Sequence, residues 1–67
     1  MESKELGKII RERRKVLNLT IEELSVYTGL SKTTISDLEL GKTSPRLGVI
    51  TEILKFLNME MKIEVIK

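Results

Sequence analysis

The chain has 67 residues, 40% hydrophobic and 33% charged, with a formal net charge of +2 and neither histidine nor cysteine. That length allows one small domain of marginal intrinsic stability, which a second subunit would reinforce, and the hydrophobic share argues against disorder. Without histidine and cysteine there is no credible zinc or transition-metal site; no membrane-spanning stretch is present, and MESKELGKII lacks the apolar run of a signal peptide, so a cytoplasmic location is expected.

The spacing of Leu6, Ile9, Ile10 and Leu17 predicts a first helix from Ser3 or Lys4 to Leu17, with those four residues as its inward stripe. Asn18 ends it, because asparagine tolerates the left-handed conformation better than most non-glycine residues, and Leu19 can fold back as the hydrophobic partner of that cap. Arg11, Arg13, Arg14 and Lys15 gather on this helix as a basic cluster, in which Lys15 reads as a solvated side chain.

Thr20 and Glu23 stand in the S/T-x-x-E relation, so a second helix should start at Ile21. The adjacent Glu22 and Glu23 are better explained as favourable charges in a first turn than as an acid–base pair. Gly29 closes this helix and Ser31 opens the next, leaving a turn of three residues. In the third helix Ile35 and Leu38 share one face while Lys32, Thr33, Ser36 and Asp37 fall on the opposite one, until Gly41 stops it. Ser25 and Gly29 are expected to let the two backbones approach at a steep angle filled by Leu24, Leu30, Ile35 and Leu38. Two short capped helices across so tight a turn make a helix-turn-helix, which points to DNA. The mildly basic balance suits a polyanion, and Lys32, Lys42 and Arg46 bracket the motif where phosphates would lie. No glycine-rich phosphate loop and no catalytic constellation occurs, so neither an enzyme nor a cofactor is expected.

A fourth helix should begin near Pro45, a residue favoured in a first turn, and carry Leu47, Ile50, Ile53, Leu54 and Leu57 up to Asn58, which terminates it as Asn18 does the first. The period then changes: Met59, Met61, Ile63 and Val65 alternate with Glu60, Lys62 and Glu64, the pattern of a half-buried strand. A lone strand leaves its edges unpaired, so pairing with the same strand of a second chain across a two-fold axis is expected, a frayed tail being the other reading. The organisation predicted is a helix-turn-helix domain over residues 1–58 and a dimerisation strand over 59–67, with Phe56 added to the dimer interface.

The runs IIRERRK, NLTIEEL, TGLSKTTISDLELGK and SPRLGVITEILKFLN together resemble the lambda-repressor and Cro-like helix-turn-helix family, often called XRE-type, over nearly all of the chain. The tail MEMKIEVIK is similar to that of HipB-type antitoxins, in which a C-terminal strand pairs between subunits. The fold implied is all-α with one C-terminal strand: a four-helix domain whose strand pairs between the subunits of a dimer. The resemblance implies that Lys32, Thr33, Ser36 and Asp37 face base edges, that Ser31 and Thr34 lie at the rim within reach of phosphate or a thymine methyl, and that Lys42, Thr43 and Ser44 hold the DNA backbone. It also implies a structural ion pair between Arg14 and Glu39.

The chain departs from the family pattern at three positions. Ile21 stands where many relatives carry a phosphate-anchoring glutamine, Leu40 occupies an often polar or basic position, and Asp37 brings a negative charge to a polyanion unless it accepts from a cytosine amino group. The function implied is a homodimeric repressor of a palindromic operator in double-stranded DNA, with recognition helices roughly 34 Å apart, acting by occlusion and not at a membrane. The alternative, which the three departures favour, is an antitoxin or adaptor whose main partner is a protein, a toxin in the first case. Val26 and Tyr27 belong to an exposed or an interfacial surface, and the sequence leaves both open.

Overall fold

Among the described residues, every helix is followed by a residue with a left-handed backbone. The computed structural model describes residues 3–43 and 45–60, and in it four helices follow one another: α1 (Ser3–Val16), α2 (Ile21–Thr28), α3 (Lys32–Glu39) and α4 (Leu47–Phe56). The residues just past them, Asn18, Gly29, Gly41 and Asn58, have φ of 57°, 76°, 71° and 56°. Three of these ends share one hydrogen-bond pattern. The Leu19 N–H donates to the Arg14 carbonyl at 3.0 Å, Lys42 to Asp37 at 2.9 Å and Met59 to Leu54 at 2.8 Å, each satisfying a carbonyl that the helix itself leaves unpaired.

The starts of α2 and α3 are capped by side chains, whereas Arg46 at the start of α4 makes no side-chain cap hydrogen bond. The Thr20 hydroxyl accepts from the Glu23 N–H at 3.0 Å while the Glu23 carboxylate accepts from the Thr20 N–H at 3.0 Å, and Ser31 Oγ accepts from the Thr34 N–H at 3.0 Å. Between α2 and α3 the Ser25 hydroxyl donates to the Leu30 carbonyl and Thr28 Oγ1 accepts from the Leu30 N–H at 3.3 Å, so the turn is held by side chains as well as by Gly29.

Ile10, Leu24, Ile35, Leu38, Ile50, Ile53, Leu54 and Leu57 form the core, with Leu6, Leu19, Ile21, Leu30, Val49 and Met59 packed around it. Fully burying such a side chain contributes roughly 1.5–3 kcal/mol, so packing around this shared core holds short helices that propensity alone would not. Leu17 is exposed rather than inward: α1 has already ended at Val16, and Leu19, brought back by the cap at Asn18, takes the place in the packing. Leu47 is likewise 62% exposed. Pro45 does not lie in the first turn of α4; Arg46 is extended, with ψ of 149°, and its carbonyl accepts the first helical bonds from Val49 and Ile50.

The close backbone approach lies elsewhere than the pair Ser25 and Gly29. A Cβ at Gly29 would meet nothing within 4 Å, so that glycine serves its positive φ alone. A Cβ at Gly7 would run into the Leu38 carbonyl oxygen and come within 2.7 Å of that of Glu39, and one at Gly41 would lie 2.7 Å from Lys4 Cα. The first half of α1 thus lies directly across the end of α3. Among the described residues there is no strand and no helix long and apolar enough to cross a membrane. Met61, Ile63 and Val65 of the expected strand lie outside the described residues.

Candidate nucleic-acid interface

Helix α3 turns Ile35 and Leu38 into the core and presents its other side outward. Ser31, Lys32, Thr33 and Thr34 are exposed, Ser36 and Asp37 half-buried. The Ser31 and Thr34 hydroxyls share a hydrogen bond of 2.8 Å, which fixes both at the helix start. Among the described residues, Lys32 and Thr33 have no side-chain hydrogen-bond partner, so their donors and acceptors are open to an incoming ligand. The cap at Gly41 then delivers Lys42 and Thr43, both exposed, beyond the opposite end of the helix; Ser44 lies outside the described residues.

What fixes α3 is a buried ion pair. Arg14 Nε donates to Glu39 Oε2 at 2.7 Å and Nη2 to Oε1 at 3.0 Å, while Nη1 donates to the Leu19 carbonyl at 2.7 Å. Each residue is only 8% exposed. The hydrogen bond to Glu39 raises the Arg14 pKa above its ordinary value, with the carboxylate charge adding to it and desolvation opposing it. This fork ties α1, the α1–α2 turn and the last residue of α3 together at one point. Arg13 is also committed internally, its Nε donating to the Leu57 carbonyl at 2.9 Å. The basic cluster read on α1 therefore divides: Arg13 and Arg14 hold the fold, and Arg11 and Lys15 stay exposed.

Ile21 is half-buried and packs on the core, so its apolar character is used inside the domain. Leu40 is 56% exposed at the end of α3. Tyr27 of α2 and Phe56 of α4 stack with ring centroids 6.2 Å apart and 17° between planes, beside an exposed Val26. A depression of about 500 Å³ runs along α4, lined by Leu47, Thr51, Leu54, Lys55 and Met59 among others. Neither the Arg13 contact nor the role of Gly7 has a distinct sequence signal, although a glycine inside a helix, where it costs stability, was a clue to close packing.

The helix-turn-helix family pattern matches residues 10–62. The chain is 44% identical over 52 residues to an uncharacterized HTH-type transcriptional regulator of Methanothermobacter thermautotrophicus, spanning 78% of this chain and 75% of that protein. It is 29% identical over 63 residues to the ImmF control region 10 kDa protein of Bacillus phage phi105, spanning 94% and 70% respectively. A third relative, an uncharacterized HTH-type transcriptional regulator, RghRB, of Bacillus subtilis, is 37% identical over 54 residues, and this chain spans 39% of its length.

Proposed function

Since the chain belongs to the helix-turn-helix family of DNA-binding transcriptional regulators, we propose that it is a sequence-specific repressor that binds a palindromic operator as a homodimer. The observation that carries the proposal is the outward side of α3: open donors and acceptors at Lys32 and Thr33, with Ser36 and Asp37 one turn on, on a helix whose far end is clamped by Arg14. In the major groove Lys32 would donate to guanine O6 or N7, Ser36 would donate or accept, and Asp37 would accept from a cytosine amino group. Thr33 would pack against a thymine methyl or pair with a base edge, while Ser31, Thr34, Lys42, Thr43 and Ser44 would hold phosphates.

Dimerisation would supply the second half-site contact. The segment 59–67 would pair with its symmetry mate as an antiparallel strand, its apolar residues Met59, Met61, Ile63 and Val65 lying on α4 near Leu54 and Leu57, with Phe56 at the edge. Repression would then follow from occlusion of the operator, consistent with the name of the phage relative, an ImmF control region protein.

A second reading, an antitoxin or adaptor whose main partner is a protein, is favoured by the exposed Val26, Tyr27, Phe56 and Leu40. Selection of bound duplexes from a random-sequence pool tests the choice. The repressor reading expects enrichment of a two-fold-symmetric site with half-sites about one helical turn apart; a pool that stays random after repeated selection would leave the protein-partner reading in its place.

A further inference from the structure

We infer that Lys4, Lys8, Arg11 and Lys15 form a second phosphate-binding surface, continuous with Lys42, along which α1 follows the backbone of the duplex that α3 reads. The inference rests on the DNA-binding reading and extends it to a helix with no part in base recognition. Steps of four, three and four residues put these cations on one flank of α1, and all four are exposed. The flank runs for roughly 16 Å at 1.5 Å per residue, against about 3.4 Å of duplex axis for each phosphate of one strand, so several phosphates fall within its length.

Three observations favour a polyanion as the occupant. Among the described residues, none of the four cations has an ion-pair partner: Glu39 is taken by Arg14, and the exposed Glu5 and Glu12, though three or four residues from Lys8 and Lys15, form no salt bridge with them. Like charges at Lys4 and Lys8, and at Arg11 and Lys15, stand one turn apart with only part of that repulsion offset by Glu5 and Glu12, and Lys4 sits in the first turn where the helix dipole disfavours a cation. An external negative charge relieves both. The flank also joins the interface already described, because Gly41 is seated on Lys4 and the chain passes from there straight into Lys42.

The test neutralises the flank with a polar side chain that keeps part of each aliphatic stem. A variant carrying Lys4→Gln, Lys8→Gln, Arg11→Gln and Lys15→Gln is compared with wild type for binding to a random duplex of about 30 base pairs across a salt series. Each phosphate contact contributes about 0.9 to the slope of log affinity against log salt, so the variant's slope should be shallower by about 2 to 4. The pair Glu5→Gln and Glu12→Gln should do the reverse at low salt and raise affinity severalfold, a result that does not depend on the first variant folding. An unchanged slope in the neutralised variant, with wild type still binding steeply, overturns the inference and leaves the DNA-binding reading standing. Salt-insensitive wild type overturns both. Loss of binding to anionic lipid vesicles, with duplex binding unaffected, would also overturn it by assigning the flank to a membrane surface.

Discussion

Gly7 of α1 faces the Leu38 carbonyl of α3 with no room for a Cβ between them. Three glycines of this chain therefore answer differently to alanine. Gly7→Ala must push backbone against backbone and should cost about 3 kcal/mol, the upper range of overpacking. Gly29→Ala meets no neighbour but is held at φ of 76°, for a cost of about 1 kcal/mol. Gly48, helical and with open space where its Cβ would be, should stabilise the fold by roughly 0.5–1 kcal/mol on the same change. Chemical denaturation of the three variants gives the order directly.

Removing one partner of the Arg14–Glu39 pair strands a buried charge, so Arg14→Ala and Glu39→Ala should each cost about 3–5 kcal/mol, and a paired apolar replacement much less. The pH dependence has a definite sign. The folded-state pKa of Arg14 is raised, so its contribution is complete below the pKa of an unfolded arginine and is lost only as pH climbs through the higher folded value. Wild type and Arg14→Ala should thus differ in stability by the same amount at about pH 7 and about pH 10; convergence at the higher pH would show that the guanidinium is not held as described.

The caps were the legible part of this fold. Thr20 with Glu23, Ser31, Gly29, Gly41 and both asparagines carry their roles in local chemistry, and local chemistry is what a sequence displays. Gly7, Arg13 and the outward turn of Leu17 and Leu47 were not legible, because each depends on where a distant element lies: Gly7 on the end of α3, Arg13 on the carbonyl of Leu57, 44 residues away. The polar side of α3 could be read from its spacing, whereas the division of the α1 arginines between fold and surface needed the packing.

The proposed dimer places its own test in the tail. Deleting residues 60–67 leaves Met59, whose N–H closes α4 on the Leu54 carbonyl and whose side chain packs on the core, so the domain should stay folded. It should sediment as a monomer and lose two-site binding, since nothing would then fix the spacing of the recognition helices. A truncated chain that still dimerises would move the interface to the stacked Tyr27 and Phe56.

If α3 reads bases, Lys32→Ala, Ser36→Ala and Lys42→Ala must separate when each is measured on selected operator and on random duplex at fixed salt. Lys32→Ala and Ser36→Ala should each lose about 1–3 kcal/mol on the operator, relax specificity at one position and change random binding little, while Lys42→Ala weakens both alike. Equal losses on operator and random duplex for all three variants would contradict the placement of this helix in the major groove.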